Sequence, residues 1–126
     1  MYQNQTASPN LTLIFDGSRT NLGNHYNRSS GIFTAPQTRM YVFAWTVFCD
    51  AGGQYFLHVV VNNIVCASSN CNANGALWHR SVSGTLVAHI YQGDVVYIRT
   101  HPKGSYKGSI VSNSAHRSTF AGWSLF

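Results

Sequence analysis

Acidic residues are scarce: Asp and Glu together number three against eight Lys and Arg, a formal charge of +5 over 126 residues. Each acid, Asp16, Asp50 and Asp94, lies in a turn-like stretch with glycine, where a carboxylate bonds its own turn. No convergent carboxylate pair is left for glycosidase or aspartic protease chemistry. Charged residues make up 9% of the chain, against roughly 25% in typical domains, so little of the surface is defended by charge. Cysteine is sparse too. With three, at least one of Cys49, Cys66 and Cys71 has no partner within the chain, which excludes a dense disulfide scaffold. Cys49 reads as a small buried hydrophobe on a strand, and Cys66 and Cys71 as free thiols or the ends of a short loop disulfide.

Further absences narrow the function. Cys66, Cys71 and His79 lack the close Cys-x-x-Cys pair of structural zinc sites, so no metal is expected. No Gly-x-Ser-x-Gly nucleophile elbow occurs, and the chain is read as non-enzymatic. No apolar run approaches the roughly 18 residues a membrane helix needs, and no membrane insertion is expected. The opening "MYQNQTASPN" is too polar for a signal-peptide core, which does not decide the compartment. Sequons at Asn4, Asn10 and Asn27 lean towards a secreted, extracellular protein.

No stretch holds a helical period. Short runs of Val, Ile, Thr, Tyr, Phe and Trp alternate with Gly, Asn, Asp and Ser clusters, the pattern of an all-β chain. Strands are expected over Leu11–Phe15, Gly31–Thr34, Met40–Cys49, Gln54–Val61, Ile64–Ala67, Ser81–Tyr91, Asp94–Thr100 and Ser118–Phe126. That number in a single small domain, residues 11–126 behind a flexible segment 1–10, suggests a sandwich or jelly roll. A sheet with one wet face alternates apolar with polar, and two of these strands do not. "MYVFAWTVFC" sets Met40, Val42, Ala44 and Phe48 on one face and Tyr41, Phe43, Trp45 and Val47 on the other. The closing strand sets Trp123 and Leu125 against Phe120 and Phe126. A sandwich covers only the inner face of each sheet, so further copies of the chain are expected on the outer one. "QYFLHVVVN" and "VVYIRT" carry polar residues and belong to an outer sheet.

Phe15, Asn21, Tyr26, Phe33, Tyr41, Phe43 and Trp45 fall at the spacings of a known signature, with Arg39 in place of its Gly. "HYNRSSGIFTAP", "SVSGTLVAHIYQGDVVYIRT" and "STFAGWSLF" follow in matching order. The chain therefore resembles the globular head domain of the complement C1q family, related in fold to the tumour necrosis factor cytokines, and in particular the stand-alone C1q-domain proteins of invertebrates. The resemblance implies a ten-stranded jelly roll assembled as a compact homotrimer, with the final strand central in the sheet facing the partner subunits. Tyr41, Phe43, Trp45, Phe120, Trp123, Leu125 and Phe126 are then trimer interface or core. Some members bind calcium through acidic loops. The corresponding "NGALWHRSVSG" has His79 and Arg80 and no acid, so neither a tight calcium site nor any cofactor is expected.

The candidate ligand site lies in loops. "HPKGSYKGSIVSNSAHR" gathers His101, Lys103, Tyr106, Lys107, Asn113, His116 and Arg117, and no acid follows Asp94. Trp78, His79 and Arg80, beside Asn70, Asn72 and Asn74, form a second basic and aromatic patch. Aromatic rings cover the apolar face of a pyranose, Asn and Ser meet sugar hydroxyls, and Lys or Arg pairs with sulfate, phosphate or carboxylate. His58 and His89, on strands, read as structural or surface histidines. Nucleic acid is not expected, because no stacking platform interleaves with the basic residues. The reading is a lectin-like pattern-recognition protein of innate immunity, whose partners are carbohydrates or anionic microbial surface polymers. The alternatives are a cytokine-like trimer engaging a protein receptor and a structural extracellular trimer.

Overall fold

The computed structural model describes residues 4–15, 25–102, 106–113 and 115–125. Asp16, Asn21, Lys103 and Phe126 lie outside them. The described residues form ten strands and no helix: β1 (Gln5–Thr6), β2 (Tyr26–Asn27), β3 (Ile32–Thr34), β4 (Arg39–Cys49), β5 (Gln54–Val61), β6 (Ile64–Asn72), β7 (Arg80–Ile90), β8 (Val95–Thr100), β9 (Ser109–Val111) and β10 (Thr119–Ser124). They build two antiparallel five-stranded sheets, the layers of an all-β jelly roll.

In the first sheet β4 is central. β7 runs along one edge from Arg39↔Ile90 to Cys49↔Arg80, while β10 and then β9 share the other. The final strand was expected at the centre of this sheet. It instead flanks β4, which at eleven residues is long enough to pair with three strands. Arg39, in place of the signature Gly, opens β4 in ordinary extended register. The second sheet runs β2-β3-β8-β5-β6, and the run 11–13 lies against β8 through Leu13 N–H to Ile98 O and Thr100 N–H to Leu11 O. β5 and β8, whose polar residues marked them for an outer sheet, are neighbours there.

β4 and β10 sort their faces as their alternation requires. Tyr41, Phe43, Trp45 and Val47 point inward and are buried, with Phe120 stacked on Phe43 at 5.8 Å. These residues are core. Leu57, Val59 and Ile98 meet them from the other sheet. Gly84 stands opposite Trp45, and the missing side chain makes room for the indole.

Cys49 is not a lone buried hydrophobe, and Cys66 and Cys71 are not paired. A disulfide joins Cys49 to Cys71, Cα to Cα 6.1 Å, and leaves Cys66 free and exposed. Cys49 ends β4 and Cys71 nears the end of β6, both inward and buried, so the bond ties the two sheets together. Cys66 is on the same strand as Cys71, five positions away, and cannot share its inward face. Residues 1–10, expected to be flexible, contribute β1 over Gln5–Thr6, and the Asn4 side chain accepts the Ser112 N–H at 2.7 Å.

Candidate functional site

Three connections converge at one pole of the sandwich. The turn Asp50–Gly53 joins β4 to β5, residues 73–79 join β6 to β7, and residues 112–118 join β9 to β10. The Asp50 turn is closed by Gly53 N–H to Asp50 O at 2.8 Å, and its Gly52, at φ 79°, takes the left-handed conformation open to glycine. The same turn is clamped to the 73–79 loop by Gly52 N–H to Ala73 O and Ala73 N–H to Gly53 O, at 2.9 and 2.8 Å. The Cys49–Cys71 disulfide lies directly behind this clamp. The third connection is a turn organised by Asn113, whose Oδ1 accepts the N–H groups of Ala115 and His116 at 3.0 and 2.9 Å.

Between these connections is a shallow open cavity of about 240 Å³ lined by Ala51, Leu77, Trp78, His79 and His116. His79 and His116, from the two separate basic segments, meet edge to face with ring centres 4.7 Å apart. His116 also packs on Phe48 at 5.5 Å. Nδ1 of His79 accepts the Ala51 N–H at 3.2 Å, so its ring proton is on Nε2 and can be donated. Leu77 and Trp78 are exposed at 86% and 77%, too much for core residues of a finished surface.

Charge around the cavity is mostly positive. Lys107 is held by backbone pairing with Gln54, and its Nζ reaches Asn74 Oδ1 at 3.3 Å. Arg80 and Arg117, each next in sequence to a cavity histidine, are exposed. Asp50 is the acid at this pole; its Oδ1 receives the Ser109 N–H at 3.1 Å. The Tyr55 hydroxyl, donated to Phe48 O at 2.6 Å, is pushed well above its ordinary pKa by burial and then by the charge on Asp50.

The expected site residues are therefore split. Trp78, His79 and His116 come together, Asn113 orders the turn that carries His116, Lys107 reaches Asn74 of the loop that carries Trp78, and Arg80 and Arg117 follow the two histidines in sequence. Tyr106 and His101 go elsewhere. The Tyr106 ring packs against the core and its hydroxyl is donated to His101 O, which makes it a structural residue and not a free stacking platform. Burial raises its pKa, an effect opposed by a hydrogen bond with Thr100. His101 lies on the outer surface of the second sheet, its ring 4.5 Å from that of His58. Nothing in the spacing of residues 101–117 separates its two ends; the bridge Gln54↔Lys107 at their midpoint does.

A second exposed feature is the outward face of the first sheet. Trp123 stands beside Val42, and Val42 beside Val87, one apolar row across three strands. Trp123 is 49% and Val87 54% exposed, with Leu125 next to them and its N–H on Met40 O. Of the described residues expected at an interface or in the core, Trp123 and Leu125 are the two that are largely exposed.

Known proteins share this architecture. The structure superposes on the globular domain of zebrafish complement 1qA with a TM-score of 0.77, covering 98% of this chain and 91% of that one at 18% identity, a likeness of fold. Caprin-2 of Danio rerio is 34% identical over 115 residues, which are 90% of this chain but 12% of that protein. The chain thus spans about an eighth of that relative's length. The C1q domain family model matches residues 1–125. With a two-sheet jelly roll, a pole of converging loops and that match over nearly its whole length, the chain belongs to the C1q domain family.

Proposed function

We propose that this chain is a secreted, non-enzymatic recognition module that forms a homotrimer and binds hydroxyl-rich or anionic carbohydrate on microbial or cell surfaces, a role in innate immunity. The observation that carries the reading is the meeting of His79 and His116, which brings two basic, aromatic segments of the chain into one open cavity beside an exposed Trp78. An indole covers the apolar face of a pyranose, an imidazole N–H and the Asn74 amide meet its hydroxyls, and Lys107 or Arg80 pairs with an acidic substituent.

C1q domains are typically trimeric and extracellular, and two features of the chain agree with that. The apolar row from Trp123 to Val87 is of the kind identical copies cover, and a buried disulfide suits an oxidising compartment. Single sugar sites are weak, and three on one rigid body raise avidity by roughly 10² to 10⁴.

A glycan array probed with the wild-type protein and with Trp78→Ala and His116→Ala variants tests the reading. The wild type is expected to bind hydroxyl-rich or anionic glycans and each variant to lose most of the signal. Absence of wild-type binding to every glycan and microbial polymer overturns the lectin function, and a protein receptor as sole ligand replaces it with the cytokine-like alternative. Undiminished binding by both variants overturns the cavity as the site.

A further inference from the structure

A second cluster of basic side chains lies away from the pole, on the outer surface of the second sheet. His58 of β5 is directly opposite Arg99 of β8 in the antiparallel ladder, so both side chains leave the same face. His101, one residue beyond β8, brings its ring to 4.5 Å from that of His58. Its backbone is fixed to β5 by His101 N–H to Phe56 O at 2.9 Å. On the other flank of β5, Ser68 of β6 pairs with His58 and sets a hydroxyl-bearing residue on that face. The N-terminal run closes the cluster, where Arg99 Nη1 is donated to Asn10 Oδ1 at 3.3 Å.

Two features show that this cluster is incomplete. Nδ1 of His58 and Nε of Arg99 are both covered from solvent and both without a hydrogen-bond partner. Buried polar atoms are ordinarily satisfied, and two orphans on facing residues mark a place where a bonding group is missing. The described acids are engaged elsewhere. Asp94 is engaged by Asn62 and the Tyr91 N–H, and Asp50 by Ser109 at the pole; no acid among the described residues faces the cluster.

We infer that His58, Arg99 and His101 form an oxyanion-binding site on the outer face of the second sheet, separate from the polar cavity, which takes a sulfate, phosphate or carboxylate group. A guanidinium and two imidazoles, with Ser68 alongside, offer charge-assisted donors to such a group from three directions. The inference does not rest on the lectin reading.

The electrostatics agree in direction. His58 is held below the ordinary imidazole pKa first by desolvation, then by the charges on His101 and Arg99. Among the described residues, the charges acting on it are those two, and neither β6 nor the Asn10 segment brings a carboxylate. A bound anion reverses the last two effects, so binding strengthens as the pH falls through the imidazole range.

The test follows the imidazole proton resonances of His58 and His101 at about pH 6, near the ordinary imidazole value. At constant ionic strength, chloride is exchanged for sulfate, phosphate, or an oligosaccharide bearing sulfate or uronate groups. Saturable shifts of both residues are expected with at least one probe, and the tightest identifies the source of the anion. The affinity should fall about tenfold or more in Arg99→Gln, as for loss of a charge-assisted donor. His101→Asn, a second variant on the loop side, should weaken it as well. Resonances that respond no more to any probe than to chloride overturn the site, as does full binding by both variants. Because Trp78 is at the other location, unchanged Trp78→Ala behaviour in this titration keeps failure here distinct from failure of the polar cavity.

Discussion

Trp123 of β10 stands in register with Val42 of β4, and both side chains leave the first sheet on the face away from the core. Val42 is 8% exposed while its neighbours Trp123 and Val87 are about half exposed, so the row is a ridge of accessible apolar surface around a covered centre. Burying each large side chain of this kind contributes roughly 1.5 to 3 kcal/mol, the gain expected if further copies of the chain cover the row. Trp123→Glu places a charge in that row without touching the core. It should yield folded single chains that keep their solution affinity for a monovalent sugar but bind an immobilised polymer roughly 10² to 10⁴ less avidly, as surface plasmon resonance can measure. Unchanged avidity would show that this face has no part in assembly.

The disulfide gives a separate stability prediction. Cys49 and Cys71 are 22 residues apart, and a loop of that size constrains the unfolded chain by about 3 kcal/mol. Cys71→Ala, or reduction under denaturing conditions, should lower the unfolding free energy by about that amount in a urea titration. In the native oxidised protein a maleimide should modify one thiol, Cys66, and mass spectrometry of the digest locates it.

Gly84 is small because Trp45 is large. A Cβ on Gly84 would overlap the buried indole, whose Nε1 is donated to Ser69 Oγ of the opposite sheet at 3.3 Å. Gly84→Ala should therefore cost about 1 to 3 kcal/mol despite adding one methyl group, with a shifted tryptophan emission. Gly75→Ala is a useful contrast, since its φ of 76° brings strain but no side chain crowds it.

His58 makes stability depend on pH with a defined sign. Its folded-state pKa is lowered from 6.5, so the unfolded chain binds the proton more readily. Stability is full above that ordinary value and declines as the pH falls through it towards the lowered one. Melting temperatures between about pH 7.5 and pH 5 should fall in the wild type and fall less in His58→Gln. Sulfate exchanged for chloride at constant ionic strength should recover more of the loss in the wild type than in His58→Gln, beyond the general stabilisation sulfate gives both. A slope that His58→Gln leaves unchanged assigns the effect to other groups.

Long strands were legible because both their periodicity and their bounding turns are written in the residues. Gln54–Val61 was expected and found at those residues, β4 begins one residue earlier than expected, and β7 is shifted by one residue at both ends. Short pairings were not. β1, β2 and β9 span two or three residues and exist because a partner strand passes beside them, which local sequence cannot show. The expected strand Leu11–Phe15 appears as a single bridge from Thr12 to Arg99 with flanking hydrogen bonds. β6 continues to Asn72, beyond the expected Ala67, since the polar run Ser68–Asn72 reads as loop until β5 is placed alongside.

The site was legible as chemistry but not as geometry. Trp78, His79 and His116 were each singled out, yet only the folded pole shows that two distant segments form one cavity. Tyr106 reads in the sequence as a loop aromatic, and the fold packs it against the core next to the Lys107 bridge. The disulfide was missed for a similar reason. Cys49 and Cys71 are close only across the two sheets, whereas Cys66 and Cys71 are close along one. His58 gave no signal at all until Arg99 and His101 were seen around it.

Sedimentation equilibrium of the wild-type protein at micromolar concentration tests whether the outward row of the first sheet is an interface between copies. The expected result is a particle of three times the 13.9 kDa chain mass. A monodisperse particle of one chain mass, with Trp123 emission at the wavelength of a water-exposed indole, would contradict it.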